Sequence, residues 1–221
     1  MLSTVAGIVN VAGVLALSTL TTNVTGHFAF FAEEAGRSEY QRALTFFIYI
    51  LSFLSGAFLC GLLVEWALRR NPSRSHALPL ILEIILLIVV SILFTESVIT
   101  RQWLAGMLLF AMGMQNALVT QVSKATVRTT HLTGLFTDLG IELAQLFFYR
   151  QRDQKGQLSQ SIFLRMTIIS FFFLGCVAGG FAYNLIGIYG LLIAAAILAV
   201  ALVYDVMRVG ISYYRRRIKL P

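Results

Sequence analysis

The sequence predicts an all-α integral membrane protein of about six transmembrane helices, arranged as two inverted three-helix repeats. Three observations support this class: an apolar composition, a series of long apolar segments, and a polar motif that occurs twice. Of the 221 residues, 58% are hydrophobic and 12% are charged. A soluble domain averages about 45–50% apolar and about 25% charged residues. A chain of this length cannot hide so much apolar surface in a globule, whereas lipid accommodates it.

Six apolar segments have about the 20 residues that a helix needs to cross a bilayer. They cover residues 2–20, 43–66, 78–97, 102–122, 161–183 and 186–207. On this prediction the first repeat is residues 1–97, the second is 98–207, and a basic cytoplasmic tail follows at 208–221. The two repeats form a single membrane domain.

The positive charges are distributed unevenly between the two sides of the predicted membrane domain. Fourteen Lys and Arg residues lie in the loops after spans two and four and in the tail, whereas the opposite side has Arg37, Arg42 and Arg101. Cytoplasmic loops are enriched in Lys and Arg, so both termini are predicted to be cytoplasmic. This placement explains the net charge of +7 without nucleic acid as a partner.

An internal repeat relates the two halves. Residues 21–28 (TTNVTGHF) resemble residues 129–136 (TTHLTGLF). Upstream, 7–10 (GIVN) resembles 113–116 (GMQN), and downstream Ser52-Phe53 and Gly56…Gly61 resemble Ser170-Phe171 and Gly175…Gly180. Each half has three spans, an odd number, so the second half must enter the membrane from the opposite face. Secondary transporters are built in this way, with sites formed by discontinuous helices, although channels also contain inverted repeats.

These motifs resemble the YoaK-like family of bacterial membrane proteins, a group of unknown function, over essentially the whole chain. The resemblance rests on residues 113–116 and 127–134 together with the first motif, where the family favours Thr-Gly-Asn and this chain has Thr25-Gly26-His27. It implies a multi-pass protein of the bacterial inner membrane. It implies no substrate or reaction.

The two Thr-Gly motifs are the predicted helix breaks and the predicted solute contacts. Thr25 or Gly26 is expected to cap a helix over about 27–36, and Thr133 or Gly134 one over 135–149. A helix N-terminus favours an anion or a carboxylate. The alternative is that these residues only allow close helix packing. The candidate substrate-binding residues are Thr22, Asn23, Thr25, Gly26, His27, Asn116, Arg128, Thr129, Thr130, His131, Thr133 and Gly134.

Several ionisable residues lie near or within the apolar segments. Asp138 and Glu142 are candidates for proton coupling, if 135–149 dips into the bundle; otherwise this helix lies at the interface with its acids in water. Glu83 and Asp205 are expected to pair with a cytoplasmic Arg, with proton coupling as the alternative for either acid. Arg165 is expected to face the headgroups. The GxxxG pattern at 175–179 predicts close helix contacts, within one chain or across a homodimer.

The function that these features predict is a small secondary transporter or channel for a small solute, with an anion as one candidate. The alternative is a non-transporting membrane scaffold or assembly factor. The sequence has no Walker loop, dinucleotide glycine pattern or HExxH motif, so we expect no enzyme activity. No cofactor is expected, and His27 and His131 alone are too few ligands to predict a metal site.

Overall fold

The computed structural model describes residues 1–70, 76–95, 97–122, 132–148 and 152–218, and within these ranges the structure is helical without strands. The α-helices, in chain order, are α1 (Leu2–Leu17), α2 (Val24–Gly36), α3 (Tyr40–Arg70), α4 (Ala77–Leu93), α5 (Val98–Val122), α6 (Leu132–Phe148), α7 (Arg152–Ile186) and α8 (Gly190–Ile218). A 3-10 turn at Gly187–Tyr189 connects α7 to α8.

Each predicted span corresponds to one helix, but the helix ends differ from the prediction. Helix α1 ends at Leu17 because Ser18 adopts a left-handed conformation (φ 53°). The N–H groups of Ser18 and Thr19 then donate to the carbonyls of Val14 and Gly13, which closes the helix. Helix α7 begins well before residue 161, since its polar first turns contain good helix formers that hydropathy does not detect.

Three helical segments are long and apolar enough to cross a membrane: Tyr40–Arg70, Val98–Val122 and Gln154–Asp205. The last includes most of α7, the 3-10 turn and about half of α8. Helices α1 and α4 are apolar but shorter, with 16 and 17 residues. The surface of the long helices is apolar as well; Phe58 is 66% exposed and Leu185 is 85% exposed. These features indicate a membrane-embedded helical protein.

Helices α1 and α7 touch through their backbones. A methyl group at Gly7 would overlap the carbonyl oxygen of Phe172, and one at Gly175 would overlap the carbonyl oxygen of Thr4. Only a residue without a side chain permits this approach. The GxxxG pattern of α7 is therefore used inside this chain, where Gly179 also faces Ile8.

Helices α3 and α5 make a contact of the same form. A methyl group at Gly56 would overlap the carbonyl oxygen of Phe110, and one at Gly113 would overlap that of Phe53. The sequence repeat pairs Gly7 with Gly113 and Gly56 with Gly175. Each of these two helix couples, α1 with α7 and α3 with α5, thus joins a helix of the first half to a helix of the second half. The glycines at the two contacts are the ones that the sequence repeat pairs.

The helices of both couples run parallel, since successive contacts advance along both partners in the same direction. Along α1 and α7 the contacts pair Gly7 with Phe172, Ile8 with Gly179, and Leu15 with Tyr183; along α3 and α5 they pair Ser52 with Gly106 and Gly61 with Gln121. Gly113 contacts Phe53 in the same way as Gly7 contacts Phe172, so Phe53 and Phe172 hold equivalent positions in the two couples. The sequence repeat had matched Phe53 to Phe171, one residue earlier.

The remaining helices complete the bundle around these couples. Helix α4 packs on α8, α5 and α3, and α8 packs on α1. The short helices lie beside the long ones, α2 on α3 and α6 on α7. The core contains mainly aliphatic side chains such as Leu87, Leu108, Met112 and Leu198.

We expect Gly7→Val and Gly113→Val each to lower the free energy of unfolding by about 1–3 kcal/mol or more, because the new side chain forces two backbones apart. Thermal unfolding in detergent measures the effect. Gly140→Ala is the matched control, since no atom lies within 4 Å of the place that its new methyl group would take. If the valine variants and the control unfold at the same temperature, the glycines do not set the helix spacing.

Candidate functional site

The threonines of the segment between α1 and α2 form hydrogen bonds with α1. The Thr21 hydroxyl, fully buried, donates to the Val9 carbonyl at 3.4 Å. The Thr22 hydroxyl donates to Asn10 Oδ1 at 2.9 Å. The break therefore lies against α1, and its hydroxyl groups donate to oxygen atoms of that helix.

The predicted cap of α2 was wrong. The helix begins at Val24, and Asn23 is the N-cap, with Oδ1 accepting from the Gly26 N–H at 3.1 Å. Asn is among the best N-cap residues because its short side chain reaches the third amide of the helix. Thr25 and Gly26 lie in the first turn instead, with Thr25 exposed.

His27 occupies an aromatic pocket rather than an open anion site. Its ring is 1% exposed and is surrounded by Phe30, Phe46 and Tyr49, with ring centroids 5.4–6.5 Å away. Nε2 lies 2.7 Å from the Leu20 carbonyl, which can only accept, so Nε2 carries the proton. Burial lowers the pKa of His27, and the hydrogen bond to Leu20 partly offsets this. The neutral imidazole is therefore favoured.

Only part of the second motif can be placed. Arg128, Thr129, Thr130 and His131 lie outside the described residues. Helix α6 begins at Leu132, so the prediction that Thr133 or Gly134 caps a helix from residue 135 was also wrong. These two residues are the second and third of α6, as Thr25 and Gly26 are of α2. Thr133 is exposed, and its carbonyl accepts from the Thr137 hydroxyl at 2.9 Å.

The acids of α6 bind an arginine of α7. Arg165 Nε donates to Glu142 Oε2 at 3.0 Å and its NH1 to Asp138 Oδ2 at 2.8 Å. The Ser161 hydroxyl donates to Glu142 Oε1 at 2.6 Å. Arg165 and Glu142 are each 14% exposed at their side chains, and Asp138 is 51% exposed. Arg165 therefore attaches α6 to α7, and its expected place at the headgroups stays a prediction.

Two amides of α5 reach the bundle interior. Gln115 is fully buried, and its Nε2 donates to the Leu2 carbonyl at 2.6 Å, linking α5 to the start of α1. Gln115 Oε1 is buried without a hydrogen-bond partner, as is Oδ1 of the half-buried Asn116. Asn116 is thus a predicted site residue with a polar atom available inside the bundle, and His27 Nδ1 is likewise buried without a partner.

Glu83 was not among the predicted site residues. It is 1% exposed on α4, and its Oε1 has no hydrogen-bond partner. The expectation of an ion pair with a cytoplasmic arginine was wrong for the part of the chain that the structure describes. A lone carboxylate in an apolar segment was the available signal, but its depth in the bundle became evident only from the packing of α4.

The site residues therefore fall into separate groups. Thr22 meets Asn10, and Asp138 and Glu142 meet at Arg165, but α2 packs on α3 whereas α6 packs on α7. The described part of the chain contains no group of three or more His, Cys, Asp or Glu residues placed to hold a metal.

The fold and its apolar surface define a helical, membrane-embedded class of protein. Within it, the chain belongs to the DUF1275 family, described as proteins of unknown function, whose profile matches residues 1–204. No curated protein and no solved structure matches the chain. Membership of a family of unknown function that covers nearly the whole chain is confirmed; the YoaK-like name stays a prediction.

We expect acid to destabilise the folded protein through His27. Its pKa is lowered in the folded state, so its contribution to stability is complete above about 6.5, the usual pKa, and is lost as the pH falls below that value. His27→Gln should flatten the decrease in melting temperature between neutral and mildly acidic pH. His76→Gln is the control; an equal effect there would assign the pH dependence to histidines in general.

Arg165→Gln should lower the free energy of unfolding by about 1–3 kcal/mol, because it leaves the Glu142 carboxylate without its charged partner. Arg37→Gln is a matched control in an exposed pair with Glu33 and should cost about 0.5 kcal/mol or less. Adding Glu142→Gln to the Arg165 variant should restore part of the loss. Chemical denaturation measures all three, and a lack of rescue would contradict the network.

Proposed function

We propose that this protein is a small secondary transporter or channel that moves a small solute across the bacterial inner membrane, between two inverted repeats of three spans each. The six spans are α1, α3, α4, α5, α7 and α8. Helices α2 and α6 are the short helices that follow the first span of each repeat. A small anion is a candidate solute, because α2 and α6 begin at polar breaks.

The observation that carries the proposal is the reciprocal pair of glycine contacts. Gly7 of the first half approaches Phe172 of the second, and Gly113 of the second half approaches Phe53 of the first. Two copies of one contact, exchanged between halves of related sequence, are what a two-fold relation between repeats produces. With three spans per repeat, that axis lies in the membrane plane, as in inverted-repeat transporters.

The parallel helix couples support six spans in particular. If the chain crosses the membrane at each of the six helices, α1 and α7 run in one direction and α3 and α5 in the other. The observed contacts agree with this, since the two helices of each couple run parallel. The Lys and Arg distribution then favours cytoplasmic termini.

The proposed path is lined by the two breaks and the α5 amide. Thr22, Asn23, Thr25, Gly26 and His27 contribute from one side, and Asn116 from the interior. The second motif supplies the remaining proposed contacts: Thr133 and Gly134, together with Arg128, Thr129, Thr130 and His131, which lie outside the described residues. Asp138 and Glu142 remain candidates for proton coupling, and their contacts with Arg165 would have to open for that role.

A non-transporting scaffold is the second candidate, and the backbone-to-backbone contacts and the aliphatic core favour it. Single cysteines at 21–27 and 132–135, in a Cys60→Ser, Cys176→Ser background, separate the two functions. Water access that changes with solute supports transport. Access that is constant, or restricted to bulk water on one side, supports the scaffold.

We expect the double variant Thr25→Val, Thr133→Val to reduce solute flux by about tenfold or more, which corresponds to about 1.4 kcal/mol of added barrier. Both side chains are exposed, so valine should leave folding intact. Flux into liposomes is tested with a panel of small anions, weak acids and neutral metabolites. Thr137→Val, one turn further along α6, is the control. Wild-type flux in the double variant would remove these residues from the path.

A further inference from the structure

Glu83 places a carboxyl group inside the bundle. It lies six residues after the start of α4, or about 9 Å along the helix axis. Leu80 and Leu87, one turn to either side, are also buried, and α4 is covered by α3, α5 and α8. Since Glu83 is 1% exposed, water does not solvate its carboxyl group in this conformation.

The groups around Glu83 do not neutralise it. Cys60 of α3, itself fully buried, is the titratable residue that interacts with it electrostatically. The other charged side chains in the last turns of α3 are exposed; they are Glu65, Arg69 and Arg70. Arg101 is at the far end of α5, and Asp205 of α8 is half-buried and itself acidic. Within the described ranges, no Lys or Arg forms an ion pair with Glu83.

Oxygen atoms without donors occur on the neighbouring helix as well. Gly61 of α3 lies next to Cys60 and faces Gln121 of α5. A methyl group added at Gly61 would lie 3.8 Å from Gln121 Nε2. Gln115 and Asn116 precede Gln121 by less than two helical turns, and each has a buried oxygen without a partner. These amide oxygens lie on a helix that packs against α4, and each can accept a hydrogen bond from an entering water.

A bare carboxylate at this position would lose several kcal/mol of solvation, and no Lys or Arg in the described ranges pairs with it to compensate for that loss. A neutral acid costs much less, because only the charged form carries the large desolvation penalty. Buried polar groups that serve only packing are normally hydrogen-bonded. An ionisable group within a membrane bundle that lacks such bonds instead marks an ion or proton site.

We propose that Glu83 is a reversible proton-binding site, which takes up a proton at a carboxylate oxygen and releases it from the same atom when the bundle opens to water. The coupling of this exchange to solute movement rests on the transporter function proposed above, whereas the proton site itself does not. The carboxyl is thus the neutral, proton-loaded form in the closed bundle.

Dicyclohexylcarbodiimide tests the proton site directly, because this apolar reagent modifies protonated carboxyl groups in apolar surroundings. The full chain in liposomes is treated between mildly acidic and alkaline pH, and the modified residue is mapped by mass spectrometry. We expect labelling at Glu83 that is lost as the pH rises, little labelling at the exposed Glu65, and none at position 83 in Glu83→Gln. Labelling at Glu83 no greater than at Glu65 would overturn the proposal. Protection by sodium but not by choline would also overturn it, since the ligand would then be a metal cation.

Glu83→Leu separates a proton site from a structural role. Glu83 Oε1 has no hydrogen-bond partner to lose, so the leucine variant should melt at the same or a higher temperature, and a clear decrease would overturn the proposal. Solute-driven acidification of liposomes, followed by an enclosed pH dye, should be lost in Glu83→Gln. If no solute moves in wild type either, the transporter proposal fails, but the carbodiimide result still decides whether Glu83 binds a proton.

Discussion

The approach of helix backbones at four glycines is the constraint on which the rest of the structure depends. Two helices in lipid gain little from the hydrophobic effect by associating, because the lipid chains are as apolar as their side chains. Close van der Waals contact must supply the attraction, and it is greatest where no side chain separates the backbones. Gly7, Gly56, Gly113 and Gly175 allow this in two places. Since each contact joins the first half of the chain to the second, neither half can form its tightest contacts alone.

Because lipid and the packed bundle exclude water, each buried polar group must find a hydrogen-bond partner in the chain. Around the first break this is achieved locally: Thr21 and Thr22 bind oxygens of α1, and Asn23 binds an amide of α2. Glu83 Oε1 and Gln115 Oε1 are the contrast, because these atoms are fully enclosed and lack donors. A local bond accounts for the first group, whereas in the second group Glu83 is the residue that we propose to bind a proton.

Helices α2 and α6 occupy equivalent places in the sequence repeat but are held by different chemistry. His27 fixes α2 through a carbonyl and three aromatic rings, which keeps it neutral. Arg165 fixes α6 through two carboxylates and so places fixed charge beside α7. The proposed repeats therefore differ in how these short helices are held.

The sequence alone determined that the chain is helical and membrane-embedded, and it located each long helix, because apolar length and composition depend on the local sequence. Helix α7 nevertheless begins well before its predicted span and α8 ends well after its own, since their polar turns carry no hydropathy signal. The sequence also identified the glycines that recur in both halves. It misplaced the caps of α2 and α6, since an N-cap is chosen by competition among neighbours: Asn23 reaches the Gly26 amide, and Thr25 lies two positions too late.

Only the tertiary structure decided which residues meet. The sequence could not show that Arg165 lies between Asp138 and Glu142, because α6 and α7 are separate helices whose relative rotation depends on packing. Nor could it distinguish Glu83 from any other acid near the end of a span. Its burial follows from the way in which α3, α5 and α8 cover one face of α4, and that arrangement is set by contacts distant in sequence.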